Sequence, residues 1–449
     1  MNVKTAVTRI VRNTLFAAPL LLAPALSGVV LQDTVLAKQI SSGVAVAQDD
    51  KAKPQHNTRK TPALRENVYK KLAEVQVFTD AGDWNGALKE LNELKGDTGK
   101  WNGYEMAQLW NYYGFVYYSL ERYDDALRAY ERVVANPDDI PVGLETATLY
   151  TMAQLAFIQE DYPKAIDMLT RWMNMSPIVG ADAYVLRGQA YYSLNNFDKA
   201  LPDINWAVND YESKGKVPKE NWFALQRAIY YEKGDNKKVV QILEKLVKHY
   251  PKASYWRQLG GMYGAVNREK DQLHALEAAY LMGAVTNEKE LLNIAYLFLG
   301  EEAPYKAAKI IDKGIKDKRI EPTSKNLETL AAAWRMAQEV KKSLPEMEKA
   351  AAKSDNGDLY ARLAGIYLDN DMFDKCIDAG EVALKRKGIK REDQLQIVLG
   401  MAHVNKKQYD SAIRAFKKAA EDKRSAKFAR QWIQYAESER EREKQLALD

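Results

Sequence analysis

Small residues recur down this chain at Ala87, Ala126, Ala165, Ala200, Val239, Gln272, Ala307, Ser343, Cys376 and Ala412, with neighbouring rungs 33 to 39 residues apart. Between the rungs the apolar positions repeat every three to four residues, the period of an amphipathic helix, and no useful length alternates at the strand period. A fixed period of this size predicts a stack of helical hairpins, each burying against the next an apolar face it cannot bury alone. The expected fold class is all-α, an α-solenoid of about ten helix-turn-helix units between residues 64 and 424. Turns are expected at Ala81-Gly82-Asp83, Asn195-Asn196 and Lys233-Gly234-Asp235, with Pro137, Pro177 and Pro251 ending second helices.

The clearest unit holds Trp256, Leu259, Gly260 and Tyr263, which fits the W-x2-L-G-x2-Y signature of the tetratricopeptide repeat. Trp110, Tyr113, Gly114, Tyr117, Ala126, Tyr130 and Pro137 supply a second copy, and Tyr184, Gly188, Tyr191 and Ala200 a third. Tyr360, Leu363, Tyr367, Cys376 and Ala383 give another, as do Leu399, Gly400, Ala412, Phe416 and Ala419. The chain thus resembles tetratricopeptide repeat proteins, and the resemblance implies a superhelix of such hairpins. Gly or Ala on the first helix and Ala on the second are expected at the closest approach of each pair, with Tyr, Leu and Phe beside them. Val239 and Gln272 are irregular rungs. The segments 291–318 and 325–353 fit only at apolar spacing, with Ala307, Ala308, Trp334 and Ala350. Two explanations stand for these weak seventh and eighth units: drift of the repeat, or a functional break with a partner surface. Residues 425–449 predict a capping helix and charged tail, with Phe428, Trp432 and Tyr435 on one stripe facing the last repeat.

Composition fits such a fold: the 449 residues are 46% hydrophobic and 28% charged, with 24 glycines and 14 prolines. Of the formal charge of +5, Lys4, Arg9, Arg12 and Lys38 against Asp33 place +3 in the first 47 residues, leaving about +2 for the rest. With signs interspersed over that remainder, no basic face for nucleic acid is expected. The first 47 residues have the layout of an export signal: a positive start, an apolar run from Leu15 to Leu31, and small-residue cleavage sites near 37 and near 47. Residues 48–63 are polar, carry Pro54 and Pro62, and predict a flexible lead-in. Once the signal is removed, no segment is apolar enough to span a membrane. Such a signal predicts an exported chain.

Candidate chemistry is sparse. His56, His249, His274 and His403 lie in separate parts of the chain without metal-ligand spacing, so no metal site is expected. No phosphate-cradling glycine loop, nucleophile elbow or zinc-protease motif occurs, and neither catalytic residues nor a cofactor are expected. The single Cys376 has no intramolecular disulfide partner and occupies a ladder rung, where it is either a packed small residue or a reactive thiol. The remaining candidate is a surface. The positions one step past the core tyrosines, Tyr118, Tyr192 and Tyr231, are expected to face the groove lined by the first helices, either as partner contacts or as part of its wall. The Asn and Lys/Arg set with which some tetratricopeptide domains hold a peptide carboxylate is missing, with Gly365 where an Asn would stand.

Thr61-Pro62-Ala63-Leu64-Arg65, Pro218-Lys219-Glu220-Asn221-Trp222, His249-Tyr250-Pro251, Ala303-Pro304-Tyr305-Lys306-Ala307-Ala308-Lys309 and Ser425-Ala426-Lys427-Phe428-Ala429-Arg430-Gln431-Trp432 carry a more specific likeness. Over nearly all of the expected mature chain the sequence resembles exported proteobacterial tetratricopeptide proteins assigned to TonB energy-transduction systems. The resemblance implies a non-enzymatic periplasmic scaffold or adaptor with envelope-protein partners, namely inner-membrane motor or TonB-like subunits. The alternative is a structural or trafficking module for envelope polysaccharide or outer-membrane assembly.

Overall fold

The computed structural model describes Arg59 and residues 63–446. The expected signal segment lies outside the described residues, as does the lead-in apart from Arg59 and Ala63. The described chain is helical throughout its regular elements and divides into two compact units, one ending at Tyr250 and the other beginning at Pro251. The first unit holds five hairpins: α1 (Glu66–Asp80) with α2 (Trp84–Lys95), α3 (Gly103–Ser119) with α4 (Tyr123–Val133), α5 (Val142–Ile158) with α6 (Tyr162–Met175), α7 (Ala181–Ser193) with α8 (Phe197–Ser213), and α9 (Glu220–Glu232) with α10 (Asn236–His249). The second holds five more: α11 (Ala253–Ala265) with α12 (Glu269–Leu281), α13 (Glu288–Gly300) with α14 (Pro304–Lys316), α15 (Ser324–Met336) with α16 (Val340–Ala352), α17 (Asp358–Leu368) with α18 (Phe373–Arg386), and α19 (Glu392–Asn405) with α20 (Tyr409–Ala419). The terminal helix α21 (Ala426–Leu446) follows. Each unit has the tetratricopeptide-type α-solenoid architecture.

One turn geometry joins the helices of every hairpin. Five residues before each rung of the small-residue ladder, from Gly82 before Ala87 to Lys407 before Ala412, the backbone is left-handed. The amide of the next residue then donates to a carbonyl five residues back, as Arg122 does to Tyr117 and Asp235 to Tyr230. This satisfies carbonyls that a helix end leaves unpaired. Asp83, Asp161, Asn196 and Asp235 also cap the second helix, each side chain accepting from the amide three residues on. Only Gly82 and Gly234 are glycines at this position, whereas Glu121, Glu160, Glu302, Gln338, Asp371 and Lys407 adopt the same left-handed φ. The geometry of the whole hairpin therefore imposes a conformation that these side chains oppose by roughly 1 kcal/mol.

Nine of the ten rungs are buried, and Gln272 is half-buried. Its neighbour explains the exception: a Cβ on Gly264 would come within 2.6 Å of the Gln272 amide, so the missing side chain makes room for the long one. The closest approach differs from the expected small-on-small pairing. A Cβ on Gly114 would lie 2.5 Å from the Tyr130 ring, on Gly400 2.5 Å from Phe416, and on Gly260 2.6 Å from Leu276. These glycines open space for a large side chain sixteen residues later, and only Gly188 meets the backbone carbonyl of its rung, Ala200.

One further expectation is corrected. On α21 the buried positions are Ala429 and Ala436, with Trp432 stacked on Phe416 at 5.7 Å, while Phe428 and Tyr435 lie at the exposed edge. The apolar face is turned by one residue from the expected stripe because alanines fit closest to α20. The weak units 291–318 and 325–353 form complete hairpins, α13 with α14 and α15 with α16, over a continuous core containing Ile294, Phe298, Ile311 and Trp334. Arg59, in the expected lead-in, is fixed by hydrogen bonds to the Pro137 carbonyl at 2.6 Å and to Glu145 at 2.5 Å. Arg65 likewise grips the fully buried Glu105 through Nε at 2.7 Å and Nη2 at 2.5 Å.

Candidate functional site

The three tyrosines expected to face the groove have three different environments. Tyr118 is half-buried with its ring 5.9 Å from Tyr123, the first residue of α4. Tyr192 is only 6% exposed and lies 5.7 Å from Phe197, which starts α8. Burial raises both phenols above their ordinary pKa. Phe157 and Tyr162 repeat the arrangement at 5.3 Å in the hairpin between them. Each pair spans five residues, so these rings clasp the turn between two helices instead of offering themselves to a partner. Tyr231 shows why: the residue five positions on is Asn236, no ring is available, and Tyr231 stays 58% exposed. Of the three, only Tyr231 presents an open aromatic surface.

One concavity lies in the second unit, lined by α15, α16 and α17, with a volume of about 310 Å³. Two parallel stripes form its walls, Glu328, Ala331, Ala332 and Arg335 on α15 and Arg362, Gly365, Ile366 and Asp369 along α17 and its cap. The spacing i, i+3, i+4, i+7 puts each set on one helix face. Ser343 and Met347 of α16 complete the lining, and the Ser343 hydroxyl is spent on the Ala331 carbonyl at 2.8 Å. The floor is apolar and small, and a Cβ on Gly365 would meet nothing within 4 Å.

The charges around this pocket are unevenly used. Glu328 and Arg362, 34 residues apart, form an ion pair across it, and Arg362 also reaches Asp358 at 3.0 Å. Arg335 and Asp369 stand at the same 34-residue offset at the other end, where both are exposed and neither has an ion-pair partner among the described residues. One end is closed by its own charges, and the other offers a free cation and a free anion. A second concavity between α20 and α21 differs: Arg440 holds Asp410 at 2.7 Å and Lys407 holds Glu443 at 3.0 Å, so its charges are occupied.

The repeat residues have structural work. Ala126, Ala165, Ala200, Ala307, Cys376 and Ala412 are fully buried, and Trp110 and Tyr117 pack against the core beside them. Trp256 and Tyr263 line the core of the second unit's first hairpins. Burial pushes the Cys376 thiol up to about 12, with the Asp369 charge a smaller cause, so it is a protonated, packed side chain at neutral pH. His403 occupies a half-buried edge and shares a hydrogen bond of 2.7 Å with Gln408. Among the described residues no group of His, Cys, Asp and Glu could hold a metal ion, and no helix is long and apolar enough to cross a membrane.

Tetratricopeptide repeat families match residues 72–140, 181–208 and 394–421. The chain carries tetratricopeptide repeats, the first matched stretch spanning the α1 to α4 hairpins and the last falling on α19 and α20. No curated protein matches the sequence. Among solved structures, a tetratricopeptide repeat protein from Parabacteroides merdae is 14% identical, covering 57% of this chain and 98% of its own, at a TM-score of 0.31. YrrB, described as a tetratricopeptide protein with an unusual peptide-binding site, is 15% identical over 42% of this chain and 89% of its own, at 0.32. The Naa15/Naa10 complex bound to HypK-THB gives 13% identity over 78% of this chain and 68% of the matched chain, at 0.35.

Proposed function

We propose that this protein is a non-enzymatic scaffold that holds another polypeptide on the face formed by its first helices, and that it does so as an exported adaptor of the cell envelope. The observation that carries the binding reading is the α15–α17 pocket, where an apolar floor opens between the unpaired Arg335 and Asp369. A rigid stack of hairpins presenting unsatisfied charge around an apolar hollow is suited to recognition, because the receptor loses little conformational entropy when a flexible segment docks. The export layout of residues 1–47 supports a periplasmic location. The specific likeness at residues 61–65, 218–222, 249–251, 303–309 and 425–432 supports a place beside a TonB-type energy-transduction system, with motor or arm subunits as partners. The alternative, an aromatic surface for envelope polysaccharide, is the weaker reading because Tyr118 and Tyr192 are engaged with Tyr123 and Phe197.

Crosslinking in the native envelope, followed by identification of the joined proteins, tests the proposal. Recovery of inner-membrane motor or TonB-like subunits is the expected result. Recovery of unrelated soluble proteins alone overturns the envelope-adaptor reading.

A further inference from the structure

We infer that the α15–α17 pocket selects a mixed-charge peptide motif: an extended partner segment with an apolar side chain in the hollow, an acidic residue against Arg335 and a basic residue against Asp369. The inference rests on the scaffold reading and names the class of segment that the scaffold holds.

Glu328 and Arg362 lie 34 residues apart, facing each other on neighbouring first helices, and they pair. Arg335 and Asp369 repeat that offset two turns further along the same helix faces, with complementary charge, and they do not pair. Ala332 and Gly365 in the lining contribute almost no side chain, which leaves the hollow open beside the two charges. Two exposed, unpaired charges of opposite sign in one mouth reject a ligand of single sign, since whatever attracts one repels the other. A segment carrying both signs satisfies both. The floor of Ala331, Met347 and Ile366 sets the middle residue: an aliphatic side chain fits it, and a charged one would be desolvated without a partner. Two of the pocket's four charges are already neutralised by the Glu328–Arg362 pair, so the free pair at the mouth governs the choice.

The test uses the full mature chain and fluorescein-labelled synthetic peptides of equal length whose central triplets are Glu-Leu-Lys, Lys-Leu-Glu, Glu-Leu-Glu and Lys-Leu-Lys. Fluorescence anisotropy is expected to show one of the two mixed-charge peptides binding about tenfold or more tighter than either like-charged peptide. The double exchange Arg335→Asp with Asp369→Arg is expected to invert which mixed order is preferred. Gly365→Leu fills the hollow from a helical position where an added Cβ meets no atom, so it keeps or raises the thermal midpoint while abolishing binding of the preferred peptide. Equal binding of all four peptides overturns the inference, as does an unchanged preference in the exchanged protein or undiminished binding by a folded Gly365→Leu variant. Envelope crosslinking separates the two levels. If wild type and Gly365→Leu capture the same envelope subunits, the pocket inference fails and the scaffold stands, whereas no envelope subunit with either protein removes the scaffold reading itself.

Discussion

Helix α3 in the first unit and helices α15 and α17 in the second occupy equivalent places in their hairpins and make opposite surfaces. Counting back eleven and eight residues from the rung, α3 carries Phe115 and Tyr118, α15 carries Ala332 and Arg335, and α17 carries Gly365 and Leu368. Phe115 is buried with its ring edge-on to Trp84 at 5.6 Å, and Tyr118 lies against Tyr123. A large ring at the first of these positions closes the wall toward the preceding hairpin. With Ala332 and Gly365 at that position, a hollow of about 310 Å³ opens among α15, α16 and α17. The repeat fixes where the wall stands, and side-chain volume at one position per hairpin decides whether it is closed or open.

The heaviest blow to the closed unit should come from Arg65→Ala. Glu105 is fully buried in the first turn of α3, and the Arg65 guanidinium holds its pKa below the usual carboxylate range against the opposing effect of burial. Removing the guanidinium leaves a buried carboxylate without its cation, which is destabilising. Hydrogen exchange should show α1 and α3 opening first, with α15 and α17 unchanged. Undiminished protection in α3 would mean that water or Asn102 alone satisfies the carboxylate.

A pair of alanine substitutions tests the comparison directly. Gly114→Ala drives a methyl into the Tyr130 ring and should destabilise the first unit by about 1 to 3 kcal/mol, as overpacking does. Gly365→Ala meets open space and gains the helix propensity that glycine lacks, about 1 kcal/mol, so the second unit should become more stable. Denaturation monitored separately in the two units checks the signs. Two shifts of the same sign would show that the hollow beside Gly365 is filled in solution.

The acid limit offers a smaller and pH-dependent contrast within the second unit. Asp393 in α19 is buried and held by Arg391 at 2.7 Å, with the Ser425 hydroxyl at 2.7 Å, and these partners hold its carboxyl well below the usual range. A carboxyl depressed on folding contributes stability that is complete above its unfolded pKa of about 3.9 and is lost as pH falls through the folded value. Protection of α19 and α21 should therefore decline below about pH 4 before that of α15 does, and Asp393→Asn should remove this pH dependence while weakening the α21 contact at neutral pH. An unchanged acid profile in that variant would assign the decline to other carboxylates.

The ladder was legible in the sequence because close approach restricts volume at one position per repeat, and even its lapse at Gln272 has a neighbouring signal in Gly264. A helix after the last repeat was legible from its own periodicity, though its buried face is Ala429 and Ala436. The sequence left Tyr118 and Tyr192 open between partner contact and groove wall because their packing depends on a ring five residues away across a turn, a relation that the three-to-four-residue helical period does not display. Tyr123 and Phe197 were the signal that could have found it. The pocket was illegible for a different reason: it is made by side chains that are missing at Ala332 and Gly365, and by two charges whose failure to pair depends on the folded geometry. Arg59 escaped the sequence reading because its partner, Glu145, lies 86 residues away.

The left-handed turns give the smallest contrast. The first unit has Gly234 at this position and the second has Gln338, with φ of 72° and 62°. Glycine occupies that conformation without steric cost, whereas glutamine opposes it by roughly 1 kcal/mol. Gln338→Gly relieves that opposition but adds conformational freedom to the unfolded chain, an offset of about 0.4 to 1 kcal/mol, so a gain of a few tenths is expected. Gly234→Ala takes on the strain but restricts the unfolded chain by the same 0.4 to 1 kcal/mol, so a net loss of roughly a few tenths to 1 kcal/mol is expected. If both variants instead lost stability equally in calorimetry, the Gln338 side chain would be contributing a contact beyond the turn, and α15 would owe its position beside the pocket to that residue as well as to its core.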